Sequence, residues 1–562
     1  MSALVELPAS VHRAAGPHRP RGLVGTSAVI ALVVAMPVLS VLFLALRPEV
    51  QGVTAHIAGT LLADYARNSA LLAFGVGIGT MLLGTGAAWL VAMHRFPGSR
   101  HLEWALLLPL AMPTYVVAYV YADRLQYAGP VQSALRRAFG WERGDYWFPD
   151  LHSPAGAMIL FSLVFYPYVY LLARAAFLER AAGMTEAARS LGLSPLRAFF
   201  RVALPLARPA IAGGVALAVM ETLAEFGAVS YLGVPTFTTG IYRAWYSFGN
   251  PVAAAQLSSL LLGFVVLALA SERLSRGRAR FHDTTSRRRE PPRLTGARAW
   301  WAWIGCLVPL GGGFLVPAGL LLDMAIREGD VQFGTKYLAL AQNSLMLAIG
   351  ASLIATGIAL LLGYAQRLHP GSFMRAVHRI ASLGYATPGT VIAVGALIPL
   401  TAADNALDAW LRAQFGISSG LLLTGGVAAL LFAYLVRFLT VALNSVEAGL
   451  ARIRPAMDEA ARSLGCGRFA VLRRVHVPML RGGLFSAILL VFVDVMKELP
   501  VTIVLRPFNF ETLATQVFIL AADERLAEAA TPALAIVAVG LLPVLLLSRA
   551  VYRRQATETA AL

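Results

Sequence analysis

Apolar positions along this chain come in long runs, not in short alternating stretches. Twelve such runs stand out: 23–46, 68–93, 102–122, 154–177, 210–232 and 252–271, then 300–323, 340–365, 378–400, 420–443, 482–505 and 530–550. Crossing the hydrocarbon core of a bilayer takes about 20 mostly apolar residues. Backbone amides find no water there, so a spanning segment must be a helix or belong to a closed barrel. The ten-residue alternating segments of a barrel are absent. The pattern predicts an all-α integral membrane protein with about 12 transmembrane helices. The first run follows Arg13, Arg19 and Arg21. Its length and the lack of a small-x-small cleavage site favour a retained helix over a signal peptide.

Composition agrees. Of 562 residues, 58% are hydrophobic and 14% charged, with mean hydropathy +0.67; soluble domains carry about 25% charged residues. This argues against a soluble enzyme, a disordered scaffold and a nucleic-acid-binding protein. The net charge of +17 is almost all arginine, since Lys336 and Lys497 are the only lysines. With the N-terminus inside, segments 1–22, 94–101, 173–209, 272–299, 366–379, 437–481 and 549–562 face the cytoplasm and hold 34 of the 47 basic residues. Basic residues favour cytoplasmic loops, which predicts both termini inside. Cys306 and Cys466 lie in an apolar run and a basic loop, so no disulfide and no Cys/His metal cluster is expected.

The chain also repeats itself. Glu186-Ala187-Ala188-Arg189-Ser190-Leu191-Gly192 returns as Glu459-Ala460-Ala461-Arg462-Ser463-Leu464-Gly465 at an offset of 273. Arg201, Pro205 and Arg208 match Arg474, Pro478 and Arg481; Pro113 matches Pro388 at an offset of 275. Six helices per copy give both halves the same orientation, a parallel repeat about an axis along the membrane normal. The expected divisions are a cytoplasmic segment 1–22, a first half 23–271, a polar linker 272–299, a second half 300–551 and a tail 552–562.

Each copy of the heptad falls between the fourth and fifth helix of its half. Thr185 and Asp458 can cap a short helix there, with Glu186 and Glu459 in its first turn. Gly192 and Gly465 can take the positive φ that ends it. Ser194-Pro195 can start a second short helix running to Pro205, and its counterpart runs to Pro478. Glu-Ala-Ala, three residues, Gly, and an apolar-Pro pair thirteen residues later (Leu204-Pro205, Val477-Pro478) resembles the EAA loop of binding-protein-dependent ABC importer permeases. That resemblance implies a type I importer-like fold. It also assigns ATPase coupling to Glu186, Ala187, Ala188, Gly192, Pro205, Glu459, Ala460, Ala461, Gly465 and Pro478. Neither lysine sits in a phosphate-binding Gly-x-x-x-x-Gly-Lys-[Ser/Thr] context. The chain is therefore expected to be no enzyme and to bind no cofactor, with ATP and Mg held by homodimeric cytoplasmic ATPase subunits.

The fifth run of each half carries paired acids, Glu221 with Glu225 and Asp494 with Glu498, both at the offset of 273. Spacing of i, i+4 puts each pair on one helix face. Buried acids in a bilayer face a cavity, a partner or an ion path, so these four are candidate pathway residues. Oxygen ligands suit a hard cation, which makes them candidate transient metal ligands too; a salt-bridge role is the alternative. The segments Met220-Glu221-Thr222-Leu223-Ala224-Glu225-Phe226-Gly227 and Asp494-Val495-Met496-Lys497-Glu498-Leu499-Pro500 resemble the ferric-iron permeases of this superfamily. So do 233–242, 506–515 and the fused two-half plan over nearly the whole chain. The resemblance implies a periplasmic ferric-binding protein as partner, with membrane lipid around the chain, no nucleic acid, and alternating access in a bacterial inner membrane. Fused thiamine permeases share the plan, and a proton-coupled secondary transporter is the rival from another class.

Other features stay open at this stage. Cys466-Gly467 replaces Ser194-Pro195, so the two loops are not equivalent. The exterior loop 123–153 offers Tyr127, Trp141, Tyr146, Trp147 and Phe148 as interfacial anchors or a docking surface. Asp404, Asp408, Asp523, Glu524 and Glu528 could be solvated or meet a partner. Tyr115, Tyr119 and Tyr121 could pack or offer phenolates.

Overall fold

A computed structural model describes residues 21–142, 144–178, 182–276, 292–327 and 334–560. The N-terminal segment up to residue 20, the linker core 277–291 with Arg287-Arg288-Arg289, and residues 561–562 lie outside them. Eleven helices among the described residues are long and apolar enough to cross a membrane. They are Gly22–Ala45, Leu62–Met93, Pro154–Ala176, Pro195–Ala224 and Pro251–Glu272 in the first half, and Ala297–Arg327, Lys336–Leu368, Gly389–Phe415, Val427–Leu450, Arg468–Met496 and Leu526–Leu546 in the second. A bent pair, Ser99–Ala111 with Thr114–Phe139 at 89°, supplies the third span of the first half and brings the total to 12. The described residues contain no strand, only an isolated bridge between Arg95 and Arg293. Large apolar side chains such as Phe74, Leu82, Val266, Leu267, Trp300 and Trp301 remain exposed. Such an apolar outer surface suits lipid, not water.

The fifth span of each half is not the unbroken helix expected over 210–232 and 482–505. The first stops at Ala224, with Glu225 extended (ψ 133°), and restarts as Gly227–Tyr231. The second stops at Met496 and restarts as Pro500–Leu505. The matched prolines mark the third spans: Pro113 sits at the break of the bent pair, and Pro388 stands at the start of Gly389–Phe415. Pro113 follows Leu108–Ala111, and Pro388 separates Leu383–Ala386 from Gly389–Phe415. A residue before proline avoids the helical region, which stops each helix there. Residues 378–388, expected as the start of a span, instead belong to the amphipathic helix Ser372–Ala381 and a short turn. Because Glu225 and Glu498 stand outside their helices, the shared-face argument for the acid pairs fails.

Each half lends its first span to the other. Gly22–Ala45 lies against Gly389–Phe415 and Ser372–Ala381, where Ser40 Oγ donates to the Gly395 carbonyl at 2.5 Å. Ala297–Arg327 lies against the second, third and fourth spans of the first half. There Tyr121 Oη donates to the Gly312 carbonyl at 2.7 Å and Trp303 Nε1 to that of Pro97 at 3.0 Å. Both crossings need glycine: a Cβ on Gly395 would collide with the Pro37 backbone, and one on Gly313 with the Leu163 carbonyl.

Candidate functional site

The breaks of the two fifth spans, the chain around Pro113 and Pro388 and the fourth spans together border a cavity of about 110 Å³ between the halves. Its lining includes both break prolines, Pro113 and Pro388, and all four acids, Glu221, Glu225, Asp494 and Glu498. Two cations, Arg437 and Lys497, share it with Tyr115, Tyr168 and Tyr385. Four carboxylates against two cations leave a formal excess of two negative charges.

Two of the acids are held as helix caps. Glu225 Oε1 accepts from the Ala228 amide at 3.0 Å, Oε2 from Thr114 Oγ1 at 2.6 Å, and its carbonyl from Thr238 Oγ1 at 2.7 Å. Glu498 accepts from the Val501 and Thr502 amides at 3.0–3.1 Å, from Thr502 Oγ1 at 2.9 Å and from Arg437 Nη1 at 3.1 Å. Each carboxylate therefore satisfies the orphan amides where the chain restarts as a helix. Their second partners differ for a local reason. Thr114 follows Pro113, and the matching position after Pro388 is Gly389. A side chain on Gly389 would overlap the Arg437 guanidinium, so its absence is what lets Arg437 reach Glu498.

The other two acids face the cavity differently. Asp494 pairs with Lys497 at 3.1 Å, and Lys497 Nζ also lies 3.4 Å from the Leu110 carbonyl of the opposite half. Glu221 is half-buried beside Tyr385. Among the described residues, no three His, Cys, Asp or Glu side chains are grouped to hold a metal ion. Thus Glu221, Glu225, Asp494 and Glu498 line one space without forming the ligand set expected of them, because Glu225 and Glu498 are spent on the restarting helices.

Sequence reasoning missed several of these residues. The arginine distribution places Arg437 in the cytoplasmic segment 437–481, yet it sits within Val427–Leu450; the signal for it is a lone arginine in the apolar run Phe432–Leu439. Tyr168, Tyr385, Thr114 and Gly389 carried none. Of the tyrosines singled out, Tyr115 lines the cavity with its hydroxyl buried and unpaired; Tyr119 instead packs on Tyr231 at 4.5 Å.

The repeated loops share one backbone. Helices Ala182–Ser190 and Pro455–Ser463 end at Gly192 (φ 92°) and Gly465 (φ 81°), a conformation glycine adopts without strain. Ser194 caps the next turn, its Oγ accepting from the Arg197 amide. The second helices do not end at Pro205 and Pro478. They run through π-helical turns, Phe199–Ala203 and Leu472–His476, into the fifth spans, which absorbs the hydrogen bond each proline cannot donate. Three apolar positions at the offset of 273 are exposed in both copies: Met184 and Met457, Leu191 and Leu464, Leu196 and Phe469. Ala187 and Ala460 face outward, while Ala188 is half-buried and Ala461 buried; Glu186 is half-buried and Glu459 exposed.

What fastens the loops differs. Thr185 and Asp458 are buried and lie inside their helices, not at the cap; Arg454 is the N-cap of the second. Asp458 accepts from Arg367 Nε at 2.8 Å and His476 Nε2 at 2.6 Å, and Arg367 also donates to the Leu450 and Ile453 carbonyls at 2.9 Å. Burial raises the Asp458 pKa, but the bonds from Arg367 and His476 outweigh it and hold the carboxyl below the usual range. The first loop rests instead on aromatic packing, Trp89 with Phe199 at 4.7 Å and with Phe177 at 5.4 Å.

Two exterior acids are also structural. Asp404 is buried and accepts from the Leu423 and Thr424 amides at 2.8 Å; Asp408 accepts from the Ser419 amide at 2.8 Å. In the loop 123–153, Arg136 stacks over Tyr127 and Trp141 stacks on Tyr146, while Trp147 is exposed.

Paired bundles of membrane-crossing helices, broken around a shared polar cavity and each carrying one copy of a repeated loop outside the spans, define a multi-pass transport permease. Residues 81–275 and 317–557 match the family described as binding-protein-dependent transport system inner membrane component. The chain belongs to that family and is an inner-membrane permease of a binding-protein-dependent ABC importer, which works with a binding protein and ATPase partners. It is 26% identical over 503 residues to the Fe(3+)-transport system permease protein FbpB 2 of Haemophilus influenzae, covering 88% of this chain and 91% of that protein. The molybdenum transport system permease protein ModB of the same organism is 32% identical over 213 residues, 36% of this chain and 89% of its own. The sulfate transport system permease protein CysT of Salmonella typhimurium is 28% identical over 207 residues, 36% of this chain and 72% of its own.

Proposed function

We propose that this permease carries ferric iron from a periplasmic ferric-binding protein into the cytoplasm. The observation that carries the reading is the acid-rich cavity at the breaks of the two fifth spans, beside Pro113 and Pro388. Excess carboxylate in a confined, low-dielectric space attracts a hard cation and disfavours an anion. The relative matched across 88% of the chain is a ferric permease, which supports the same cargo.

The exposed apolar trio in each loop is the proposed docking surface for two copies of one ATPase. It brings Glu186, Ala187, Ala188, Gly192 and Pro205, and Glu459, Ala460, Ala461, Gly465 and Pro478, against the motor. The second short helix of each loop continues through its π-helical turn into the fifth span, so motion of that helix is carried to the cavity wall. ATP-driven closure would move the fifth spans and open the cavity to one side at a time. The arginine distribution supports cytoplasmic termini.

An oxyanion is the second reading, favoured by Arg437 and Lys497 in the lining and by the ModB and CysT relatives. Proteoliposomes holding the permease, its ATPase and a loaded binding protein separate the two. Ferric uptake that falls at least tenfold in Glu221→Gln/Asp494→Asn, with assembly intact, is the expected result. Import of molybdate or sulfate and not of iron would overturn the reading.

A further inference from the structure

We propose that Lys497 is a resident counter-ion and latch: its ammonium holds the cavity closed between the halves until a polyvalent cation displaces it. The proposal deepens the reading of the cavity as a cation path and rests on it for the identity of the displacing ion. Its geometry stands apart from that. Lys497 follows Met496, the last residue of its helix, where the chain leaves the helix and the backbone is no longer held by the helical ladder. From there Nζ reaches two oxygens at once, Asp494 Oδ1 at 3.1 Å on its own half and the Leu110 carbonyl at 3.4 Å on the other.

Those two contacts have different fates. Asp494 and Lys497 belong to one segment and travel together. The bond to Leu110 crosses between the halves and must break whenever they part. A compact ammonium on a flexible stem suits such a contact, since it can swing to a new partner without moving the backbone.

The position is also unmatched. The repeat places Ala224 where the second half has Lys497, although Glu221, Glu225 and Pro113 all have acidic or proline counterparts. Arg437, the other cation, is already engaged with Glu498 through the gap left by Gly389. Lys497 is therefore the movable charge. With it in place the lining carries a formal excess of two negative charges; with it withdrawn, the excess is three. A trivalent cation matches the second state, and a monovalent ion leaves it uncompensated. The latch thereby selects for charge as well as holding the halves.

The test uses the full complex in proteoliposomes and reads ATP hydrolysis without any loaded binding protein. Lys497→Met is expected to raise this cargo-free hydrolysis at least threefold and to shrink its stimulation by the ferric-loaded binding protein. Lys497→Gln, which keeps a donor for the Leu110 carbonyl but removes the charge, is expected to act in the same direction more weakly and serves if Lys497→Met does not assemble. Cargo-free hydrolysis unchanged in both variants, while the wild-type complex imports iron, overturns the latch and leaves the ferric reading standing. A wild-type complex that imports no iron, yet shows the rise in Lys497→Met, overturns the cargo while keeping the latch between the halves.

Discussion

Asp458 offers the sharpest test of how the second loop is held. Replacing it with alanine removes the acceptor for both Arg367 and His476, at 2.8 and 2.6 Å. Side-chain exposures of 9% for Asp458, 16% for Arg367 and 0% for His476 mean that water does little to compensate. Breaking a buried ion pair costs 3–5 kcal/mol in general. Arg367 keeps its bonds to the Leu450 and Ile453 carbonyls, so we take the low end, about 3 kcal/mol. At about 1.4 kcal/mol per tenfold, the loop opens roughly a hundred times more often. Hydrogen exchange of amides 455–476 in the detergent-solubilised complex reads this directly. The expected result is strong deprotection there and none at 182–198, whose support is Trp89. Exchange within twofold of wild type across 455–476 would refute the reasoning.

Further outcomes follow from the cavity and its surroundings. Glu498→Gln should lower the thermal midpoint more than Glu225→Gln. The first strands the Arg437 guanidinium, about 3 kcal/mol, whereas the second weakens a cap whose donors are uncharged, worth about 1 kcal/mol; equal midpoints would contradict the asymmetry. Gly389→Ala should displace Arg437 and reproduce most of the Glu498→Gln loss, and additive effects in the double variant would show that the two act separately. His378, in Ser372–Ala381, pairs with Glu447 at 2.7 Å. Burial lowers its pKa, but the Glu447 and Leu362 hydrogen bonds raise it further, and the net shift is upward. Its stabilisation is then fully present below the unfolded value of about 6.5 and lost as pH rises through the folded one. Melting curves of His378→Gln should converge with wild type at high pH, and a difference independent of pH would exclude this role.

Much of the architecture is written in single residues whose meaning depends on spacing. The long apolar runs announce the spans, and the heptad at an offset of 273 announces the duplication. Gly192 and Gly465 declare their turns because only glycine fits there without strain. The breaks in the fifth spans were hidden, since Glu225 and Glu498 look like one more turn of helix when only spacing is counted. Their role is local, capping the amides at 228, 501 and 502 three and four residues on, but it arises only because the helix stops and restarts there. Arg437 was hidden by a boundary: counting it with the loop arginines concealed a charge buried in an apolar run. Thr185 and Asp458 satisfy every local rule for a cap, yet their helices begin earlier at Ala182 and Pro455, and tertiary partners claim Asp458 instead.

The exchange of first spans bears on why one polypeptide serves where two would do. With Gly22–Ala45 clasped by the second bundle and Ala297–Arg327 by the first, the bundles embrace each other by non-covalent means. The tether connecting them is then a matter of stoichiometry and supply, not of cohesion. Severed at the tether and made as two separate pieces, the protein should still find itself again in the membrane.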